Sequence, residues 1–263
     1  MNVVTPRSLD GALGLKSESP DAVPIQGGTD LMVALNFDQT RPDVLLNLNE
    51  VAELGGFARE NGLLRLGSGL TYAEAMIGDV ADALPALAEA SRTVGSPQIR
   101  NRGTIGGNLG TASPAGDALP PLLVEGAVVE VASVRGARRV PLAEFLVGVK
   151  RNALQPDELI VAVHVEPSGQ PQTFMKVGPR NAMVIAVCSL AVVADRERGE
   201  LRAAFGSAAP VARLVTAPID EVESFPEQVA AAASPIDDVR GTSAYRRHAL
   251  RVLTRRALER CLA

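Results

Sequence analysis

Tryptophan is absent from this 263-residue chain, and aromatic residues of every kind make up only 3% of it. Such a chain has few rings to offer as a stacking platform for single-stranded nucleic acid. Cysteine and histidine are also scarce, at two each: Cys188, Cys261, His164 and His248. An iron–sulfur cluster held by cysteine alone takes four thiolates, and a tetrahedral zinc site takes four ligands. No local spacing groups these residues, so the chain is expected to hold no metal of its own. Cys188 lies in the apolar run AMVIAVCSLAVVA and reads as a small buried hydrophobe. His164, inside LIVAVHVEP, reads as a hydrogen-bonded histidine of a strand and not as a catalytic one.

Long apolar stretches are missing too. AMVIAVCSLAVVA is too short to span a bilayer and is interrupted by Ser189. The opening MNVVTPRSLDGALGLKSESP has no basic segment followed by an apolar core, so no signal peptide is expected. The net charge of −4 gives no global field toward nucleic acid or an anionic membrane. These absences point to a soluble cytoplasmic protein without nucleic-acid partner or membrane insertion. Any redox chemistry would need a borrowed organic cofactor.

Glycine, by contrast, is concentrated. RNRGTIGGNLGTASPAGD, residues 100–117, carries five glycines in eighteen positions. Neither a helix nor a regular strand favours that composition, so the stretch reads as a loop whose main chain something approaches closely. PIQGGTDLMVAL, residues 24–35, reads as a strand running into Gly27 and Gly28, with Thr29 and Asp30 opening a helix. Leu31, Met32 and Leu35 mark one face of that helix. Two glycine turns that each present N–H groups would suit a diphosphate held from both sides. Asp117 could accept hydrogen bonds from ligand hydroxyls, and Asp30 reads as a cap or loop residue. RLGSGLTY, residues 65–72, fails as a dinucleotide fingerprint because Tyr72 stands where the third glycine belongs.

The pattern of many strands and few helices predicts an α+β fold in three parts: 1–54, 55–166 and 167–263. The last part reads as a meander of antiparallel strands followed by a long amphipathic helix. Thr242 or Ser243 would cap that helix, and Leu250, Leu253, Ala257, Leu258 and Cys261 would form its apolar stripe. Its six arginines read as a solvated face.

PIQGGTDL and GSPQIRNRGTIGGNLGTASPAGD, with FMKVGPRNAMVIAV and GSAAPVAR further on, resemble the FAD-binding medium subunit of the molybdenum hydroxylases. That family includes the flavoproteins of xanthine dehydrogenase and carbon monoxide dehydrogenase, and the resemblance covers essentially the whole chain. It implies a two-part, PCMH-like FAD-binding domain followed by a smaller C-terminal domain of antiparallel strands plus helices. By this likeness Ile25, Gln26, Gly27, Gly28, Thr29 and Asp30 would form the first turn around the pyrophosphate. Thr104, Ile105, Gly106, Gly107 and Asn108 would form the second, and Asp117 would take hydroxyl contacts at the adenosine end. Val94 and Ile160 match positions that touch FAD through main chain or apolar surface. Lys176 matches a lysine near the flavin, and Arg180 a loop residue near the flavin edge. Val184 departs from the family pattern, which often has an acid there; the departure puts in question a charge interaction at that spot and the match to NAD-using members. The cysteine-bearing insertion of the benzoyl-CoA reductase branch is missing, so no iron–sulfur cluster is expected in this chain.

The implied task is electron transfer. The molybdenum cofactor would sit in a large partner and two [2Fe–2S] clusters in a small one, with NAD⁺, oxygen or a quinone as acceptor. No catalytic side chain is assigned here. Two other readings remain: a stand-alone flavin reductase or oxidase of similar fold, such as an enolpyruvyl-UDP-sugar reductase, and a non-catalytic nucleotide-binding module.

Overall fold

The apolarity of CSLAVVA, the second half of AMVIAVCSLAVVA, has a structural cause: every residue of strand Cys188–Asp195, Ser189 included, is buried. The computed structural model, which describes residues 1–180 and 183–263, places this strand inside a four-stranded antiparallel meander. Its order is Gln172–Val177, Cys188–Asp195, Glu200–Gly206 and Arg213–Pro218. Both faces are covered, which removes the usual apolar–polar alternation. Leu190, Val192 and Ala194 join a core with the terminal helix Ser243–Leu262. Ala191, Val193 and Ala204 face the other way, into the largest core of the molecule.

That larger core is built on a five-stranded antiparallel sheet. Its order is Phe57–Glu60, Leu63–Gly67, Leu159–Val165, Val128–Ser133 and Gly136–Pro141. Helices Pro85–Thr93 and Leu119–Val124 contribute Leu87, Leu119 and Leu122 to it. A third, parallel sheet sits at the amino end, with Val44–Asn47 between Asn2–Val4 and Val23–Ile25. Helix Leu9–Glu18, capped by the Ser8 hydroxyl, buries Ala12 and Leu13 in a core shared with Leu46 and Val161. His164 pairs with Glu130 across the five-stranded sheet. Among the described residues no helix is long and apolar enough to cross a membrane.

Three expectations fail. The glycine stretch is not a loop throughout: Ile105–Thr111 is a helix, preceded by the short helix Pro97–Arg100. Thr104 caps it, its hydroxyl accepting from the Gly107 N–H at 3.0 Å. Ile105 and Leu109, one turn apart, are fully buried and anchor one side. The cap and the two anchors offset the poor helix propensity of its glycines.

Helix Leu31–Asn36 forms, but none of its residues is buried, and Met32 and Val33 are 45% and 51% exposed. Leu31, Met32 and Leu35 belong to none of the hydrophobic cores formed by the described residues. The third failure is Arg246 on the terminal helix. It is 2% exposed, donates to the carbonyls of Val187 and Ser207, and pairs with Asp238 at 2.5 Å. Four hydrogen-bond acceptors make burying this guanidinium tolerable. Thr242 caps the helix, and the stripe from Leu250 to Cys261 packs as its spacing predicts.

Candidate functional site

Strand Val23–Ile25 ends in a turn that is glycine by necessity. Gly28 has φ +72°. A methyl group on Gly27 would lie 2.2 Å from the carbonyl oxygen of Arg102. The first glycine turn therefore rests directly on the start of the second. The Arg102 guanidinium secures the join, donating to the Gln26 carbonyl at 3.1 Å and to Asn49 at 3.2 Å.

The segment set aside as a failed fingerprint, residues 65–72, is the wedge behind both. A methyl on Gly69 would meet Gln26 Nε2 at 2.3 Å, and one on Gly106 would meet the Ser68 side chain at 2.5 Å. Main-chain bonds run from Tyr72 N–H to Gly103 O (3.0 Å), Ile105 N–H to Leu70 O (2.9 Å) and Gly106 N–H to Ser68 O (2.8 Å). The sequence offered a signal for this role in Gly67 and Gly69, but only under a motif that the segment does not satisfy.

The two cradles offer different chemistry. The N–H groups of Gly27, Gly28, Thr29 and Asp30 have no acceptor among the described residues. They are donors in want of an anion or another acceptor. In the second segment the N–H groups of Ile105, Gly106, Gly107 and Asn108 are all taken by Leu70 O, Ser68 O, the Thr104 hydroxyl and Thr104 O. The expectation that both turns present free N–H groups is thus corrected for the second. Its cap and the wedge consume those donors. What it offers instead is a bare helix edge: Gly107 and Gly110 are exposed, and a methyl on Gly107 would meet only Thr104 Oγ1, at 3.0 Å.

Asn108, midway along this helix, lies against Gly116, whose methyl would be 2.7 Å from its Nδ2, and the next residue, Asp117, meets Lys176. Lys176 Nζ is 2.6 Å from Asp117 Oδ2 and 3.3 Å from the Thr93 carbonyl, beside Val94. Both members of the pair are buried, with side chains 6% and 8% exposed. Burial raises the Asp117 pKa above the ordinary carboxylate value, with Lys176 opposing that rise. Asp117 Oδ1 and Asn108 Oδ1 are buried without a partner, and such atoms call for an explanation. Ile160 approaches along the same helix, its Cδ1 3.8 Å from the position a methyl on Gly110 would take.

The pairing bears on the assigned roles. Asp117 at the adenosine end and Lys176 beside the flavin cannot stand at opposite ends of an extended dinucleotide while in direct contact. They form one locus. Arg180 donates to the Met183 carbonyl at 3.2 Å. Val184, where the family often has an acid, folds onto Gly178, whose methyl would lie 2.7 Å from it. Asn181 and Ala182 of that motif lie outside the described residues.

Free main-chain donors, a side-chain-free helix edge, and partnerless Asn108 and Asp117 oxygens suit a long ligand bearing a diphosphate and several hydroxyls. FAD fits this donor and acceptor set. Fold and site together define a dinucleotide-binding protein of the α+β class.

The comparisons narrow this further. The family described as FAD binding domain in molybdopterin dehydrogenase matches residues 1–167, and the chain belongs to it. The xanthine dehydrogenase FAD-binding subunit of Escherichia coli O157:H7 is 30% identical, covering 97% of this chain and 94% of that protein. The carbon monoxide dehydrogenase medium chain of Afipia carboxidovorans is 29% identical over 98% of this chain and 95% of its own. A solved cyanide-inactivated Cu,Mo-CO dehydrogenase has a chain with a TM-score of 0.92 and 26% identity, covering 99% of this chain and 97% of that one. Quinoline 2-oxidoreductase from Pseudomonas putida has one at 0.90 and 25%, covering 99% and 95%. The chain is an FAD-binding oxidoreductase subunit.

Proposed function

We propose that this chain is the electron-transfer flavoprotein of a molybdenum hydroxylase. In the cytoplasm it takes electrons from [2Fe–2S] clusters of a small partner and delivers them to NAD⁺, oxygen or a quinone, while a large partner holds the molybdenum cofactor and the organic substrate. Bound FAD would supply the capacity to accept one or two electrons, which no side chain here has.

The chain's own residues bind and orient. The N–H groups of Gly27, Gly28, Thr29 and Asp30 take phosphate oxygens, with Ile25 and Gln26 setting the turn. Thr104, Ile105, Gly106 and Gly107 keep that space clear of side chains. Val94 and Ile160 supply apolar walls. Asn108 and Asp117 accept from hydroxyl or ring N–H groups, and Lys176 holds a positive charge within the site. In this reading the cofactor lies between parts 1–54 and 55–166, and part 167–263 closes the site through Lys176.

One observation carries the reading: main-chain donors at 27–30 are unpaired among the described residues, in a chain whose Gly107 and Gly110 leave a helix edge bare of side chains and which aligns over 97% of its length with a named FAD-binding subunit. The test is to purify the chain with its genomic neighbours. A complex containing molybdenum, [2Fe–2S] and FAD, whose flavin bleaches when the large subunit's substrate is added anaerobically, is the expected result. A chain that purifies alone and reduces an acceptor unaided would support the stand-alone reductase instead.

A further inference from the structure

Tyr72 entered no assignment above, yet it stands at the seam of the two cradles. Its N–H donates to Gly103 O at 3.0 Å, and its ring carbons Cδ2 and Cε2 lie 3.1 Å from the position of a methyl on Gly103. Gly27 also approaches Gly103, its methyl position 3.1 Å from Gly103 Cα. Gly27, Gly103 and the tyrosine ring are therefore stacked in sequence, with only glycine between the ring and the first turn.

The residue is 5% exposed, and a tyrosine buried to that degree ordinarily finds a partner for its hydroxyl. Here the hydroxyl has none among the described residues, and it is not among the partnerless side-chain atoms sealed from solvent. The ring is packed against Gly103, and the hydroxyl has no protein partner among the described residues without being wholly sealed. We infer that the Tyr72 hydroxyl is a hydrogen-bond donor to the bound dinucleotide, fixed at the junction of the two glycine segments. This rests on the flavin reading of the site and adds to it a side-chain contact.

The surrounding charges agree with a donor role. Burial, then Asp117, then Asp30 raise the phenol's pKa, so it keeps its proton throughout the working range. A neutral O–H can donate to a phosphate or hydroxyl oxygen without adding negative charge to that of Asp117 and Asp30. The ring cannot leave its place against Gly103 to find another acceptor.

The test titrates FAD into the flavin-free full-length chain and into its Tyr72→Phe and Tyr245→Phe variants, following flavin fluorescence. Tyr72→Phe keeps the ring packing, so its thermal midpoint without FAD should match the parent. Its Kd for FAD should rise roughly tenfold to a hundredfold, the loss expected for one hydrogen bond to a charged acceptor. Tyr245→Phe, at a half-exposed position on the terminal helix, should bind as the parent does. Equal affinity of parent and Tyr72→Phe overturns the inference and leaves the flavin reading standing. A parent chain that takes up no FAD overturns both.

Discussion

The two glycine segments look alike in sequence and differ in what their glycines do. In PIQGGTDL, Gly28 needs its positive φ and the turn leaves four N–H groups unpaired. In GTIGGNLG none of Gly103, Gly106, Gly107 or Gly110 has positive φ, and the donors are already taken. Gly103 and Gly106 are glycine because Tyr72 and Ser68 occupy the space where a side chain would go. Gly107 and Gly110 are glycine with nothing of the protein against them except Thr104 Oγ1 and the tip of Ile160. Composition alone does not separate a donor loop from a packing helix. The neighbours do, and they are distant in sequence.

The largest effect should come from the buried pair that joins the mid-chain segment to the C-terminal sheet. Lys176→Met would leave Asp117 buried opposite an apolar side chain. Breaking such a pair costs about 3–5 kcal/mol, read as a fall in the thermal or urea midpoint. Adding Asp117→Asn should recover much of it, because the uncompensated carboxyl is then gone. A double variant no more stable than the single one would show that Lys176 matters for its packing alone.

Next in size is a contrast within the glycines. Gly27→Ala forces a methyl against the Arg102 carbonyl, an overpacking that costs about 1–3 kcal/mol, and should weaken FAD binding as well. Gly107→Ala meets only a hydroxyl, and alanine favours the helix by up to about 1 kcal/mol. The flavin-free chain should be at least as stable as the parent while FAD affinity falls. Gly107→Asp takes this further: the fold should persist and FAD binding should be lost, as measured by flavin content after reconstitution. Stoichiometric flavin in Gly107→Asp would move the cofactor away from this helix edge.

The same contrast explains what could be read in advance. The meander and the terminal helix were legible because their signals are local: a continuous apolar run, a threonine cap, a stripe at Leu250, Leu253, Ala257 and Leu258. The α+β class was legible too. Helix Ile105–Thr111 was not, since its glycines answer to Ser68, nearly forty positions upstream. Burial of Arg246 depends on carbonyls at Val187 and Ser207 that no helical periodicity reports. Tyr72 was noticed only as a flaw in a motif. The contact between Asp117 and Lys176 joins residues from two parts of the chain, and a residue-by-residue likeness gave each a role without revealing that they meet.

The smallest effect sharpens the comparison through pH. Glu158, just before strand Leu159–Val165, is held below the ordinary value by the Arg138 guanidinium, at 2.7 Å from both carboxylate oxygens, with burial opposing. Asp117 is raised by burial despite Lys176. The two shifts have opposite linkage signs. For Glu158 the unfolded chain binds its proton more readily than the folded one. The stability it lends is present above its unfolded value near 4.5 and is lost as pH falls through the lower folded value. The gap between parent and Glu158→Gln should therefore close on acidification. For Asp117 the folded chain binds the proton more readily, so its contribution is most favourable at low pH. It declines as pH climbs from the unfolded value of 3.8 through the raised folded one. The difference between parent and Asp117→Asn, followed by urea midpoint in steps upward from below the unfolded values of 3.8 and 4.5, should run opposite to that of Glu158→Gln. Parallel slopes would mean that Lys176 outweighs burial at Asp117 and that its carboxyl is an ordinary anion.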